Sequence, residues 1–389
     1  MAERLRDVIA TQAIPITQGQ TLNLTVSVGT ATFPEDAWSP DTLIFAADQA
    51  LYAAKHAGRN RVCQFVRQVM AQESLPPRAP LCKRGYSGRS RAKNQMEASF
   101  LAELIEQLTE PTSIALARSI ERQAIATPLS EQAIATASVH QGSRGTPLML
   151  LHGFDSSVLE FRRLLPLLAA ENETWAIDML GFGFTDRVAG IPFSPTAIKT
   201  HLYYFWKTLI SQPVILVGAS MGGAAAIDFT LTHPEAVKKL VLIDSAGFAA
   251  GSAMGKFMFP PLGYLATEFL RNPKVRDRIS RTAYKNKNLA SVDAHLCAAL
   301  HLKMPSWNQA LIAFTKSGGY SSFKDKLAQV KQPTLILWGQ YDRILGIADA
   351  NKFKRAIANS KLIWIEDCGH VPHLEQPQIT AQHILEFTL

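Results

Sequence analysis

The chain has 389 residues, of which 47% are hydrophobic and 19% charged, with a formal net charge of +8. That composition excludes a disordered or fibrous protein, and the length suffices for a full core plus further folded pieces. Four scattered cysteines (Cys63, Cys82, Cys297 and Cys368) exclude a disulfide scaffold, and the opening "MAERLRDVIATQ" lacks the apolar run of a secretory leader, so a cytoplasmic protein is expected.

Residues 1–66 open on a helical pattern, "AERLRDVI", and continue into the β-branched alternation "LNLTVSVGTATF", which predicts a strand. A second helix is predicted in "SPDTLIFAADQALYAAKHAG", with Ser39 or Asp41 able to cap its start. These stretches, and above all "AADQALYAAKHAGRNRV", resemble the C-terminal part of a diguanylate cyclase (GGDEF) domain across nearly the whole segment. In that family a Gly-Gly-Asp-Glu-Phe turn holds the metal and the nucleotide phosphates, and no such string occurs in this chain. Lys55 and Arg59 match basic positions that contact those phosphates but have no partner site here. The resemblance therefore implies a small, partial α+β fragment without cyclase activity: a remnant, or a regulatory surface. Half a sheet also leaves open edges and an uncovered apolar face.

Residues 67–96 carry seven basic side chains against Glu73 alone, so most of the net charge sits in this one segment. Its prolines and glycines and its shortage of apolar residues predict a disordered tether, and Tyr86 alone offers a platform for a base, so no nucleic-acid partner is expected. Residues 97–132 are expected to be a helical extension, in which "FLAELIEQL" presents an amphipathic face and Pro111 and Pro128 break the helices.

From residue 133 onward strands and helices alternate: "IATASVHQG", "PLMLLHGF", "TWAIDMLGFG", "PVILVGAS", "KLVLIDSAG", "PTLILWGQYD" and "KLIWIEDCGH". Continuous apolar runs of this kind are buried on both faces, so a doubly wound, mostly parallel sheet is predicted, with reactive groups beyond the carboxyl ends of its strands. The apolar stretch 213–231 reads as a strand and a helix, not a membrane span, because Asp228 and a Gly-rich turn interrupt it.

Ser220 lies in Gly218-x-Ser220-x-Gly222, between a buried strand and a helical pattern, where small flanking residues let the chain turn sharply and lift the hydroxyl. A serine needs a base, and His370, just past the last strand, lies at the matching end of the sheet; His373 is its rival. Asp342 follows a buried strand and completes the order nucleophile, acid, base, with Asp244 the alternative acid, whose carboxylate is otherwise expected to cap the turn after it. The backbone N–H groups of Phe154 and Met221 are candidate oxyanion donors, each contributing roughly 3 to 4 kcal/mol, and His152 is expected to orient the loop. No cofactor is implied, and no cluster at metal-ligand spacing joins these histidines.

The strings "LLHGF", "DMLGFGFTD", "GASMGG", "WGQYD" and "GHVPHLEQP" resemble the α/β-hydrolase superfamily over residues 133–389. The resemblance implies Ser220 as nucleophile, His370 as base and then acid, Asp342 as its partner, and an acyl-enzyme hydrolysed by water. Residues 247–326 are expected to form a helical cap, with Phe257, Met258, Tyr264 and Trp307 lining an apolar pocket for a short or medium ester. Carbon–carbon hydrolases of the meta-cleavage type are the alternative, with Arg271, Arg276, Arg278 or Arg281 as carboxylate partner, although Val371 stands where they carry a tryptophan. A non-catalytic ligand sensor is the alternative of another class. Because no candidate catalytic group precedes residue 96, removing residues 1–95 is expected to leave hydrolysis nearly unchanged, as a steady-state assay of the folded, shortened chain would record.

Overall fold

The computed structural model describes residues 105–249 and 262–389 and, in the front segment, residues 2–11, 13–16, 20–32, 47, 50, 51, 53–55 and 57–65. The tether 67–96, residues 97–104, and Phe257 and Met258 lie outside the described residues. The chain divides into two units, Met1–Gly85 and Tyr86–Leu389.

In the first unit a helix, Ala2–Thr11, precedes an antiparallel pair, β1 (Ala13–Ile16) and β2 (Gln20–Asn23), and a parallel pair, β3 (Val28–Thr30) and β4 (Val62–Gln64). The single strand expected across residues 22–33 is therefore two. Leu22 pairs with Ile14 in a hairpin whereas Val28 pairs with Val62, and residues 24–27 have no strand pairing. Gly29 lets a helix approach: a Cβ there would stand 2.1 Å from the Ala47 carbonyl oxygen, and Ala50 and Ala54 are buried. Lys55 and Arg59 are both exposed.

The second unit is built on an eight-stranded sheet. Its strands are β5 (Glu121–Thr127), β6 (Ser130–Gln141), β7 (Leu148–Leu151), β8 (Thr174–Ile177), β9 (Val214–Ala219), β10 (Val237–Ile243), β11 (Thr334–Gly339) and β12 (Ser360–Ile365). They run in the order β12-β11-β10-β9-β7-β8-β6-β5, all neighbours parallel except the pairs β8–β6 and β6–β5. Successive side chains of a strand point to opposite faces. Thus Met149, Leu151, Leu216, Leu242 and Ile336 join one apolar core, while Leu148, Leu150, Ile215, Val217 and Leu337 join another on the reverse face. Burying each such side chain contributes roughly 1.5–3 kcal/mol, which is why the central runs contain almost no polar residue.

The segment expected to be a helical extension is only partly helical. After the helix Pro111–Arg118, β5 forms a hairpin with β6, with Ile125 opposite Ile134 and Thr127 opposite Ser130. Pro128 and Leu129 make the turn, so Pro128 ends a strand instead of a helix. Period-two burial of Ile125 and Thr127 outweighs the helical composition of the stretch, and the sheet takes in residues before the boundary expected at 133. Leu116 and Ala117 join the core of the reverse face with Leu148 and Leu150, whereas Ile125 and Ile134 join the first.

Among the described residues between β10 and β11, the α-helices Leu262–Arg271, Pro273–Ala283, Val292–Cys297 and Trp307–Lys316 form the cap. Among the described residues no helix is long and apolar enough to cross a membrane.

The tightest backbone approach in the sheet is at the end of β11, where a Cβ on Gly339 would lie 1.9 Å from the Gly369 carbonyl oxygen. Gly339→Ala is therefore expected to displace the loop that carries His370 and to lower the urea midpoint sharply. Gly190→Ala, at φ 86 but in open space, should cost only about 1 kcal/mol. Equal midpoints for the two variants would contradict this account.

Candidate active site

β9 delivers Ser220 to a turn with φ 51 and ψ −117, immediately before the helix Met221–Thr232. A non-glycine residue adopts such a conformation only when its surroundings impose it. Here they do. Ser220 N–H donates to Ile243 O at 3.0 Å, and Ser220 O accepts from Gly223 and Ala246 at 3.0 and 2.9 Å. The flanking glycines are obligatory: a Cβ on Gly218 would stand 2.3 Å from Gly222 O, and one on Gly222 would stand 2.0 Å from Leu151 O.

His370 lies in the loop after β12, with Nε2 3.0 Å from Ser220 Oγ and Nδ1 2.9 Å from Asp342 Oδ2. Its backbone N–H donates to Ala283 O of the cap at 2.7 Å. Asp342, beyond β11, accepts the Ile344 and Leu345 N–H groups on Oδ1, at 2.7 and 3.1 Å. Burial pushes its carboxyl up, but hydrogen bonds from His370 and those two N–H groups hold it below the ordinary aspartate value. Side chains 150 and 28 residues apart in sequence thus form one hydrogen-bonded chain. It can move a proton from the hydroxyl to the imidazole and stabilise the imidazolium that results.

Asp244 sits beside Asp342 but does not occupy its place. Its Oδ1 accepts the Gly339 N–H at 3.0 Å, across to β11, so it does not cap the turn that follows it as expected. Burial first, and then the charge of Asp342, raise its pKa well above the ordinary value and favour the protonated form. Asp244, Asp342 and His370 each bring one donor atom within 4.8 Å of the others. With His370 Nδ1 on Asp342 and Asp244 Oδ1 on Gly339, hydrogen bonding accounts for this cluster without a cation.

His373, the rival base, is not at Ser220; its Nε2 stands 3.1 Å from Glu160 Oε1. His152 is oriented as expected, Nδ1 toward Gly153 O at 2.7 Å and Nε2 accepting the Met179 N–H at 3.1 Å. Burial pushes its pKa down to about 4, which keeps it neutral.

Gly153 packs against Ser220: a Cβ there would be 3.4 Å from Ser220 Cβ. Among the described residues neither the Phe154 nor the Met221 N–H meets an acceptor. Met221 stands at the first position of the helix behind Ser220, where N–H groups are free and the dipole favours negative charge, and Phe154 follows Gly153 and lines the same cavity as Ser220. Ser220 and His370 open on a cavity of about 280 Å³, whose apolar wall includes Ile279, Ala283, Ile344, Val371 and Leu374. Trp307 and Tyr264 do not line it. The Trp307 ring is 2% exposed at the junction of cap and core, with its indole N–H on Asp155.

The sequence pattern assigned no role to three carboxylates near the site, although Glu375 lies within "GHVPHLEQP". Asp155 collects donors from the cap. Glu375 accepts the N–H groups of Gly369, Lys285 and Asn286. Glu160 accepts the Gly153 N–H at 2.9 Å. All three meet partners that only the fold brings near.

Comparison with known proteins agrees with this architecture. A family model described as "alpha/beta hydrolase fold" matches residues 146–377, and one described as "Diguanylate cyclase, GGDEF domain" matches residues 1–61. The chain is 35% identical to alpha/beta hydrolase domain-containing protein VTE7 of Arabidopsis thaliana, over 74% of this chain and 89% of that protein. It is 27% identical to Lipase 1 of Psychrobacter immobilis, over 62% and 77% of the two chains. It is also 27% identical to a 2-hydroxy-6-oxo-6-(2'-aminophenyl)hexa-2,4-dienoic acid hydrolase of Metapseudomonas resinovorans, over 64% and 85%.

Glu160 yields a pH test. Burial raises its pKa, but His373, and then His152, lower it to about 2 from the ordinary 4.5. A depressed carboxylate pKa stabilises the fold fully above pH 4.5 and progressively less as pH falls toward 2, here by up to about 3 kcal/mol. Glu160→Gln should therefore be less stable than wild type at pH 7, with the gap narrowing toward pH 3 in urea titrations. A gap that does not depend on pH would contradict the assignment.

Proposed function

Because the chain belongs to the α/β-hydrolase family, we propose that it is a serine hydrolase that cleaves carboxylic esters carrying apolar acyl or alcohol groups. The observation that carries this is the hydrogen-bonded chain from Ser220 Oγ through His370 to Asp342. Ser220 gives its proton to His370 Nε2 as Oγ attacks the ester carbonyl carbon, and the carbonyl oxygen takes the negative charge between the Phe154 and Met221 N–H groups. Collapse returns the carbonyl and expels the alkoxide, which takes the proton from His370. A water then gives a proton to His370, attacks the acyl-enzyme, and releases the acid as Ser220 is reprotonated. The apolar wall of the cavity supports the substrate preference, since it offers area to an alkyl or aryl group. The lipase relative agrees with an ester.

A second reading, carbon–carbon hydrolysis of a dienoate, keeps the triad and draws on the dienoic acid hydrolase relative. The cap arginines weighed for the substrate carboxylate are otherwise engaged or outward. Arg276 pairs with Asp155, Arg271 covers the Trp307 ring at 5.0 Å, and Arg278 and Arg281 are exposed. The observation that favours this reading is Arg162 of the core. It lines the cavity at 2% exposure with the Tyr284 hydroxyl bearing on its guanidinium, while among the described residues Nε and Nη2 meet no acceptor within hydrogen-bonding distance. Its nearest carboxylate, Glu110, stands at 3.8 Å and is held more closely by Arg163, at 2.8 Å.

Labelling with a fluorophosphonate, together with parallel assays of 4-nitrophenyl butyrate and a ring-fission dienoate, tests both readings. The wild type should label and hydrolyse the ester, and Ser220→Ala should do neither. An unlabelled wild type would sink the proposal. Faster turnover of the dienoate, lost in Arg162→Met, would install the second reading in its place.

A further inference from the structure

Asp155 directly follows Phe154 and has a positive φ of 49, a conformation that a non-glycine residue holds only under constraint. The constraint comes almost wholly from the cap. Its carboxylate is buried and meets three donors from three separate cap elements. The Arg276 guanidinium pairs with Oδ2, the Trp307 indole N–H donates to Oδ1 at 2.7 Å, and His301 Nε2 stands 3.1 Å from Oδ1. Arg276 also reaches the main chain, donating to Asp155 O at 3.4 Å, and it ties itself down through Leu270 O at 2.9 Å and Ala298 O at 3.0 Å. Both the side chain and the carbonyl of Asp155 are thereby anchored one residue past the Phe154 N–H assigned to the oxyanion in the reading above. From the core the same loop is held by the Gly153 N–H on Glu160.

We propose that Asp155 is a positioning residue through which the docked cap sets the direction of the Phe154 N–H, so that cap docking and oxyanion-hole assembly are one event. This rests on the serine-hydrolase reading above. An oxyanion donor is useful only where its hydrogen meets the transition-state oxygen, a few tenths of an ångström from the ground-state carbonyl position. A loop residue with no regular secondary structure around it needs anchors for that, and the three donors supply them from outside the sheet. Loss of the anchor should therefore weaken binding of the tetrahedral state more than binding of the flat ester.

The test compares two buried carboxylates of equal structural weight. Asp293, on the cap helix Val292–Cys297, accepts Thr109 N–H, Thr109 Oγ1–H and Glu110 N–H at 2.8, 2.7 and 2.8 Å, and it fastens the cap to the chain ahead of β5 without touching the loop at Phe154. Asp155→Asn, Asp293→Asn and Ser220→Ala are assayed in the full chain for kcat and KM on 4-nitrophenyl butyrate, for thermal midpoint, and for inhibition by phenylboronic acid, whose serine adduct places an oxygen in the hole. Asp155→Asn should lower kcat about 100-fold and weaken the boronic acid by a similar factor, with KM changed less than about threefold. Asp293→Asn should lower the thermal midpoint while kcat and boronic acid inhibition stay within about threefold of wild type. Trp307→Phe removes one donor and keeps the ring. It is the milder variant, expected to lose about 3- to 10-fold in kcat and in boronic acid affinity together. The proposal is overturned if Asp155→Asn and Trp307→Phe, with native thermal midpoints, keep wild-type kcat, or if Asp293→Asn loses kcat and boronic acid affinity in step with Asp155→Asn. Ester turnover that survives in Ser220→Ala overturns the serine-hydrolase reading itself.

Discussion

The strained turn at Ser220 is the constraint on which the rest of the site depends. A residue at φ 51 and ψ −117 points its hydroxyl away from the sheet only because β7, β9 and β10 leave no room for the chain to relax. Gly222 meets the end of β7, Gly218 meets Gly222, and Gly223 abuts Ser245, where an added Cβ would stand 2.1 Å from Oγ. The small residues after the serine are therefore there for the turn, and the serine's own small side chain suits it. The strain cost, on the order of 1–3 kcal/mol, is offset by two apolar cores packed against both faces of the same strands.

Given that turn, the carboxyl ends of the parallel strands decide which acid does what. Asp342 and Asp244 stand beyond adjacent strands, are both buried, and differ in what faces them. Asp342 receives two N–H groups and the imidazole, all of which favour its anion. Asp244 receives one N–H and the charge of its neighbour, which disfavours a second anion. Two carboxylates this close do not both ionise readily, and donor count settles which one does. Asp178, equally buried, is pushed up to about 7 by desolvation although the Phe184 and Val158 N–H groups oppose it. Burial thus wins at Asp178 in spite of the charges of Arg187 and Arg122, whereas at Asp342 the hydrogen bonds from His370 and two N–H groups win over burial, so the same domain holds both outcomes.

Ser220, Asp342 and His370 were legible in the sequence because each follows an apolar run that could only be a buried strand, and parallel strands place their ends together. Distance along the chain did not matter; strand direction did. The hairpin β5–β6 was not legible, since "ERQAIAT" is short, opens on three consecutive polar residues and lacks a period-two alternation, and its partner strand, not its own composition, makes it extended. Phe257 and Met258 lie outside the described residues, and Trp307 was read as pocket lining because an aromatic in a cap has no sequence mark separating a wall residue from an anchor. Asp155 looked like an ordinary loop residue, and its three partners lie 121 to 152 residues further on. Such polar convergence leaves no periodicity to read.

The cap helix Pro273–Ala283 shows why these anchors are polar. Among its described residues none is buried, so hydrophobic packing contributes little to its seat. It nonetheless touches both halves of the chemistry: Arg276 grips the loop beside Phe154, and Ala283 O accepts the His370 N–H. A weakly packed element held by directional bonds has one well-defined docked geometry, because a hydrogen bond lost to misplacement leaves a desolvated donor or charge behind. Apolar packing alone would tolerate sliding by about an ångström, which the hydrogen-bonded chain from His370 to Ser220 and Asp342 would not survive. Precision of the site is therefore assigned to a few ionic and main-chain contacts between cap and core, while the bulk of the folding energy comes from strands that never meet the substrate.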